Sequence, residues 1–153
     1  MTDRIDYTQA SPEGYKSLTN AYLYLQRCGL PTELVDLVYL RVSLINGCAY
    51  CIDMHARELR ARGVADDKLA LLPTWREAGL LYTAQERAAL AWAERLTLVA
   101  QAGVADADYD AVAAVFNARE IADLSYAVCL INSFNRLAIA FHRTPQAVAA
   151  LQV

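Results

Sequence analysis

An apolar stretch that ends abruptly at an Asn-Gly pair most constrains how this chain folds. Nearly every residue in the range 34–45 is apolar, which predicts a buried helix. Asn46-Gly47 predicts the end of that helix, because glycine adopts the left-handed conformation that closes helices at little cost. A second helix is expected over residues 48–62. The stretch therefore predicts two consecutive helices joined by a tight hinge.

The hinge carries a compact group of chemically reactive side chains. Cys48 and Cys51 form a Cys-x-x-Cys pair, and His55 follows four residues after the second cysteine. At about 100° per residue, the three side chains fall within roughly 60° of one another on a helix. A thiol in the first helical turn lies at the positive end of the macrodipole, which favours the nucleophilic thiolate. His55 is placed to accept or relay a proton, and the paired thiols can close a disulfide.

An acid completes the candidate set. Asp36 lies twelve residues before Cys48, and Glu33, one helical turn earlier, is an alternative acid. Two thiols, a base and an orienting acid are sufficient for reductive cleavage of a peroxide. Other charged residues of the second helix are expected on its solvated face, namely Asp53, Arg57, Glu58 and Arg60.

The cysteine pair has three other interpretations. Zinc accepts Cys48, Cys51 and His55 as ligands, with His142 or Asp36 as the fourth, but no second Cys-x-x-Cys or histidine pair is present. A thioredoxin-like motif belongs in a strand-helix context that this chain lacks. The cysteines could also be buried structural residues. A redox site is favoured because both cysteines, the histidine and a helix-start glycine coincide.

Composition sets further bounds. The 153 residues predict one domain, spanning 1–153, and the 56% hydrophobic content predicts either extensive burial or an oligomer. The net charge of −3 is mild and argues against nucleic acid or an anionic membrane surface as partner. No apolar run reaches the length of a membrane span, and the N-terminal residues lack the apolar core of a signal peptide. A cytoplasmic location is therefore expected.

The remaining chain predicts an all-α fold of roughly seven or eight helices, with residues 1–11 as an extended arm. Two capping boxes are expected, Thr74 to Glu77 and Thr83 to Glu86. The expected helices are 12–28, 34–45, 48–62, a short one near 69–72, 84–102, 106–117, 119–143 and a short terminal one after Thr144-Pro145.

Packing roles follow from helical spacing. The stripe of Tyr15, Leu18, Tyr22 and Leu25 is expected to pack in the core rather than line a substrate pocket. Cys28 and Cys129 are also expected to be packed residues. The polar residues of the last long helix, which need partners if buried, are expected to form hydrogen bonds between helices. They are Asn132, Asn135 and Arg136.

The same residues resemble a known family. The pattern Glu-x11-Cys-x2-Cys-x3-His is typical of the alkylhydroperoxidase AhpD-like proteins, within the carboxymuconolactone decarboxylase-like superfamily. Here it reads Asp36-x11-Cys48-x2-Cys51-x3-His55, and the words LRVSLINGCAYCIDMH, ERAALAWAE and INSFNRLAIAF are also similar to this family. The chain departs from the pattern twice. Asp36 replaces a longer glutamate, and Tyr50 stands where the founding peroxidases carry a histidine.

The resemblance implies an AhpD-like helical bundle that assembles into trimers, or into dimers that build hexamers. It implies that Cys51 attacks the peroxide, that Cys48 resolves the product, and that His55 relays protons with Asp36 in the place of the acid. The implied activity is a cofactor-free, metal-free thiol peroxidase acting on hydrogen peroxide or organic hydroperoxides. Its disulfide would be reduced by a dithiol, which is lipoyl-type in the founding members.

An alternative is a redox-sensing or disulfide-exchange oligomer without peroxide turnover. Lactone decarboxylation, another activity of the superfamily, has no evident use for a cysteine pair.

Overall fold

The computed structural model describes residues 4–151, which form ten α-helices and two 3₁₀ turns and contain no β-strand. Ten helices replace the predicted seven or eight. The helices are α1 (Tyr7–Ala10), α2 (Pro12–Leu25), α3 (Thr32–Asn46), α4 (Ala49–Ala61), α5 (Asp66–Ala70), α6 (Ala84–Thr97), α7 (Val99–Ala102), α8 (Asp106–Ala113), α9 (Ala118–Ala140) and α10 (Gln146–Ala149). The 3₁₀ turns are Leu72–Thr74 and Gly79–Leu81.

The two helices around the hinge were predicted correctly, and most differences lie at helix ends. The predicted helix 84–102 is interrupted at Leu98, whose backbone (φ −99°, ψ 20°) separates α6 from α7. The predicted extended arm contains α1, because the Asp6 carboxylate caps it by accepting from the Thr8 backbone N–H. Residues 1–3 of that arm lie outside the described residues.

One of the two predicted capping boxes is present. Thr83 and Glu86 bond each other's backbone N–H groups and start α6. At the other position the chain forms 3₁₀ turns instead of a helix, and Glu77 only donates its backbone N–H to the Thr74 carbonyl. Trp75 lies in this segment with its ring buried and its Nε1 donating to Glu94. Tertiary packing therefore replaces a local helix here.

The core lies around α3, which packs against α4, α6 and α9. Its apolar face is almost completely enclosed, as shown by Val35, Val38 and Val42. One apolar cluster joins α3 with α6 and α9, and a second joins α3 with α4 and the 66–82 segment. The predicted buried helix before the hinge is therefore the central helix of the fold.

The polar residues of α9 do bond across helices, as expected. Asn135 is fully buried and donates to Ser43 Oγ at 3.0 Å, while Asn46 donates to Asn135 Oδ1 at 2.9 Å. Asn46 also donates to Asn132 Oδ1 at 3.0 Å, which ties α9 to the end of α3 directly beneath the hinge. Arg136 differs from the expectation, since its described hydrogen bonds go to Asn132 within α9.

The cysteines outside the pair differ from each other. Cys28 is buried, as predicted, and its thiol donates to the Leu25 carbonyl. Cys129 is exposed, so its assignment to the core was wrong. It lies on the side of α9 that faces away from α3, because the two apolar stripes of α9 do not cover the whole helix.

Within residues 4–151 no helix combines the length and the apolar character that crossing a membrane requires.

Candidate active site

The hinge between α3 and α4 is a left-handed turn at Gly47 (φ 69°, ψ 32°). The backbone N–H groups of Gly47 and Cys48 both donate to the Ser43 carbonyl, so the last turn of α3 is closed. Cys48 has extended backbone geometry and is the N-cap of α4. A residue with a Cβ would be strained at Gly47, which explains why the Asn-Gly pair is where the chain turns.

Both thiols of the pair are reduced and almost fully buried, with Cys48 1% and Cys51 2% exposed. The Cys48 sulfur accepts a hydrogen bond from the Cys51 backbone N–H at 3.3 Å, as an N-cap side chain does. The Asn135 side chain lies within hydrogen-bonding reach of both sulfurs. The cysteine pair is therefore held between the start of α4 and the amide network of α9.

The pair is electrostatically asymmetric. The hydrogen bond from the Cys51 thiol, together with backbone N–H groups, lowers the pKa of Cys48 despite its burial. The neighbouring Cys48 sulfur and burial both raise the pKa of Cys51 well above its ordinary range. The first proton lost from the pair consequently leaves the charge on Cys48, with Cys51 as the donor to it.

His55 lies one turn after Cys51 with its ring buried. Its Nδ1 is 2.9 Å from Glu58 Oε2, which assigns the Nδ1 position to the proton and leaves Nε2 as an acceptor in the neutral ring. Nε2 is buried and has no hydrogen-bond partner among the described residues. The imidazole is thus oriented by a carboxylate at Nδ1 and can accept a proton at Nε2.

The carboxylate that bonds His55 is not the one that the sequence pattern indicated. Asp36 is buried within the same cluster, and ligand atoms of Asp36, His55 and Glu58 lie within 4.8 Å of one another. Its described hydrogen bond, however, comes from Arg62 Nε at 3.0 Å. Glu58, expected on the solvated face, is the direct partner of His55 and was missed. Its signal was the spacing of three residues from His55 on one helix.

The pKa shifts of the two acids differ in direction. Burial, and then the charge of Glu58, raises the pKa of Asp36, although His55 and Arg62 partly offset this. The hydrogen bond with His55 lowers the pKa of Glu58. Glu58 is therefore the acid that is firmly ionised beside the imidazole. Glu33, the alternative acid, lies 3.8 Å from Lys68 Nζ and is outside this cluster.

Cys51 and His55 line a cavity of about 290 Å³, which we call the tyrosine cavity. Tyrosines from four helices surround it, and apolar side chains together with Thr8, Thr19, Glu58 and Arg143 close the remainder. The tyrosines are Tyr7, Tyr15, Tyr22, Tyr39 and Tyr50. The expectation that the α2 stripe is entirely core was therefore wrong in part, because Tyr15 and Tyr22 line this cavity. Leu25 lies in the core, and Leu18 and Tyr22 pack against it, as expected.

Cys48 lines a different cavity of about 440 Å³, which we call the α10 cavity. Its walls come from the α9–α10 connection and from the hinge, including His142, Pro145 and Val148. Tyr50 lines both cavities, as does Arg143, whose guanidinium carbon lies 5.6 Å from the centre of the Tyr50 ring. The two cysteines of the pair therefore line different cavities, which share Tyr50, Ala138 and Arg143.

The geometry bears on the zinc interpretation. The described residues that converge with metal-compatible spacing are Asp36, His55 and Glu58, and neither cysteine belongs to that set. A zinc site built on the cysteine pair is therefore not supported. Arg62 bonds Asp36 at 3.0 Å and places a cation against the carboxylate cluster, which opposes binding of a metal cation there.

Comparison with known proteins agrees with this fold. Residues 10–95 match the model of the carboxymuconolactone decarboxylase family. The protein YdfG of Bacillus subtilis (strain 168) is 34% identical over 92% of this chain and 95% of its own length.

Two solved structures are similar over most of the chain. The Agrobacterium tumefaciens protein ATU0492, described as a putative antioxidant defence protein AhpD, superposes with a TM-score of 0.90 at 38% identity, covering 94% of this chain and 98% of its own. A peroxidase-related protein from Silicibacter sp. TM1040 has a TM-score of 0.79 at 27% identity, covering 90% of this chain and 72% of its own.

An all-helical fold with a Cys-x-x-Cys pair at a helix start places the chain among the AhpD-like proteins. It belongs to the carboxymuconolactone decarboxylase family.

Proposed function

We propose that this protein is a cofactor-free thiol peroxidase that reduces hydrogen peroxide or organic hydroperoxides through Cys51 and Cys48. One observation carries the proposal. Cys51 and His55 both line the tyrosine cavity, the His55 ring is fixed by Glu58, and Cys48 caps the start of α4 three residues before Cys51. A nucleophile, a base and a second thiol are thus arranged around one enclosed space.

In the first step the Cys51 sulfur attacks the distal oxygen of the peroxide while its thiol proton passes to His55 Nε2, so that Cys51 does not become a free thiolate beside the ionised Cys48. An S–O bond forms and the O–O bond breaks. The sulfur loses two electrons to the peroxide, and the leaving oxygen receives the proton from His55 as an alcohol or water. Glu58 stabilises the imidazolium between these two transfers.

In the second step the Cys48 thiolate attacks the sulfenic sulfur of Cys51, the S–S bond forms and the S–O bond breaks, and the released hydroxide takes a proton from solvent to become water. The lowered pKa of Cys48 suits this role, because the resolving sulfur is already ionised when the sulfenic acid appears. The same property makes Cys48 the better leaving group when a dithiol reductant attacks Cys51. We propose a small dithiol, of lipoyl type, as that reductant, and a homo-oligomer as the working form.

The test is stopped-flow measurement of thiol loss after one equivalent of tert-butyl hydroperoxide, followed by peptide mapping. Wild-type protein is expected to lose two thiols into a Cys48–Cys51 disulfide. Cys51→Ser is expected to abolish the reaction, because the nucleophile is gone, whereas Cys48→Ser is expected to stop at a sulfenic acid that dimedone traps.

Cys129→Ser serves as the matched control, since Cys129 is exposed and lies outside the pair. It should keep the wild-type rate. Rapid peroxide reduction by Cys51→Ser, or a disulfide mapped to any other pair, would sink the assignment.

A second candidate function is a redox sensor or disulfide-exchange protein without peroxide turnover. The near-complete burial of both sulfurs and the raised pKa of Cys51 favour it, because both slow the reaction with small oxidants. A single slow oxidation accompanied by a change in sedimentation, without turnover when a dithiol is supplied, would distinguish this function from the first.

A further inference from the structure

We propose that Tyr39 is a further catalytic residue, whose hydroxyl donates a hydrogen bond to the leaving oxygen of the bound peroxide. The role rests on the proposed peroxidase function and adds to it a group that stabilises the charge created when the O–O bond breaks. Tyr39 lies on α3 and lines the tyrosine cavity with Cys51 and His55.

The hydroxyl of Tyr39 is the first observation. Tyr39 is 1% exposed, and its hydroxyl is buried without a hydrogen-bond partner among the described residues. Leaving a buried hydroxyl unpaired is energetically costly, and such groups are rare unless a ligand or a mechanism uses them. Packing among the described residues therefore leaves the Tyr39 hydroxyl free to bond a group in the cavity.

Other buried ring groups in the chain show that such a cost was avoidable. The hydroxyl of Tyr82, whose side chain is equally enclosed, donates to the Lys68 carbonyl. The indole Nε1 atoms of Trp75 and Trp92 donate to Glu94 and Ser125. Tyr39 is the exception among these large buried side chains, and it is the one that lines the cavity of the thiol.

His55 provides the second, independent observation. Its Nε2 is also buried and unpartnered, and the Tyr39 and His55 rings lie 5.2 Å apart. One group is a donor and the other an acceptor, and both residues line the same cavity as Cys51. A hydroperoxide carries an O–H donor and an acceptor oxygen, so it can satisfy both groups at once.

Protonation is consistent with this role. Burial raises the pKa of Tyr39 well above its ordinary value, and the nearby Tyr22 and Asp36 raise it further. The hydroxyl therefore remains a donor throughout the working pH range. The Tyr39 hydroxyl neither loses nor gains a proton in the overall reaction. The proton that the leaving oxygen receives still comes from Cys51 by way of His55, and Tyr39 only bonds the oxygen while negative charge builds on it.

Tyr39→Phe removes the donor and keeps the ring. We expect the rate of Cys51 oxidation by tert-butyl hydroperoxide to fall about 100- to 1,000-fold, the scale on which a single oxyanion donor acts. The rate of Cys51 oxidation by peracetic acid should fall much less, because its leaving group is a carboxylate that needs no such stabilisation. The thermal midpoint should stay level or rise, since an unpaired buried hydroxyl has been removed.

Tyr82→Phe is the matched control. It removes a buried tyrosine hydroxyl that is bonded and lies outside the tyrosine cavity, so it should lower the thermal midpoint and leave both rates unchanged. Equal rates for wild type and Tyr39→Phe, with Cys51→Ser inactive, would overturn the role of Tyr39 and leave the peroxidase function standing. Equal losses with both oxidants would overturn it as well, since they indicate altered packing. A wild-type protein whose thiols resist both oxidants would overturn the peroxidase function itself.

Discussion

At the scale of single residues, the decisive finding is which carboxylate controls His55. Glu58 bonds Nδ1 directly and is ionised, whereas Asp36 lies deeper, bonded by Arg62 and with its pKa raised by burial. A carboxylate in contact with Nδ1 fixes the tautomer and stabilises the imidazolium. Asp36 influences His55 only through its charge within the cluster and not by a direct hydrogen bond. Glu58 is therefore the orienting acid of the proposed relay.

Substituting the two acids separately distinguishes their roles. Glu58→Gln keeps a hydrogen-bond acceptor for Nδ1 but removes the charge, so we expect peroxide oxidation of Cys51 to slow by roughly tenfold or more. Asp36→Asn should cause a smaller loss, because it leaves the contact between Glu58 and His55 intact. Second-order rate constants for thiol loss, measured by stopped flow at neutral pH, make the comparison.

Asp53→Asn provides the control for these variants. Asp53 lies on the same helix, outside the tyrosine cavity, and bonds Arg57 and the Ala147 backbone N–H. The rate of Cys51 oxidation in Asp53→Asn should match that of the wild type. If Asp36→Asn proves more damaging than Glu58→Gln, the relay belongs to Asp36, as the family pattern implies.

At the scale of structural elements, the α3–α4 hinge sets the chemistry of the thiol pair. The left-handed backbone of Gly47 turns the chain so that Cys48 caps α4 and accepts the Cys51 N–H. The helix start then stabilises a thiolate at Cys48 through its N–H groups and dipole. A backbone conformation at one residue is thereby linked to the acidity of the next.

Gly47→Ala is expected to lower the free energy of unfolding by about 1 kcal/mol, because alanine is strained at φ 69°. It should also raise the pKa of the Cys48 thiol, since relaxing the strain moves the sulfur away from the N–H groups of α4. Urea unfolding gives the first quantity, and the pH dependence of iodoacetamide alkylation gives the second.

Gly63→Ala is the matched comparison, because Gly63 has a similar left-handed backbone (φ 89°) at the far end of α4. Gly63→Ala should lower the free energy of unfolding by a similar amount and leave the pKa of the Cys48 thiol unchanged. An unaltered alkylation profile in Gly47→Ala would show that the hinge conformation does not control the thiolate.

At the scale of the whole molecule, Glu94 joins three parts of the fold. Its carboxylate accepts from Arg41 of α3 at 2.8 Å, from Trp75 Nε1 at 2.7 Å and from Arg76. Burial alone would raise the pKa of Glu94, but the bonds from Trp75, Arg76 and Arg41 outweigh it and hold the pKa below its ordinary value of 4.5. The 3₁₀ segment is thus attached to α3 and α6 through one carboxylate.

Glu94→Gln is expected to destabilise the protein by about 2 kcal/mol at pH 7, because Arg41 and Trp75 lose their charged acceptor. Since the pKa of Glu94 is lowered in the folded state, its stabilisation is complete above pH 4.5 and is lost as the pH falls through the folded-state pKa. The difference between variant and wild type in urea unfolding should therefore shrink in acid. Glu77→Gln, an exposed substitution nearby, should show no difference, and a pH-independent gap for Glu94→Gln would contradict the linkage.

Features encoded by neighbouring residues could be predicted from the sequence. The helix end at Gly47 and the capping box at Thr83 both depend on residues within one turn, so local chemistry decides them. The cysteine pair at a helix start was predicted for the same reason. The break at Leu98 and the 3₁₀ turns around Trp75 depend on packing against distant elements, and helical periodicity does not encode that.

The candidate site shows the same division. Cys51 and His55 border one cavity, as their spacing indicated, and Asp36 lies in the same cluster. Glu58 was missed because a charged residue on an amphipathic helix usually faces solvent. Tyr39 was missed because an aromatic residue within an apolar run usually packs in the core, and its unpaired hydroxyl is visible only in three dimensions.

The two cavities that border the thiol pair have a consequence for inhibitor design. The tyrosine cavity leads to Cys51 and the α10 cavity leads to Cys48, with Tyr50 and Arg143 lining both. An electrophile shaped for the α10 cavity would alkylate Cys48 while the other cavity stays open to the oxidant. In the proposed peroxidase cycle, such a compound would block the resolving thiol rather than substrate binding, and raising the peroxide concentration would not displace it.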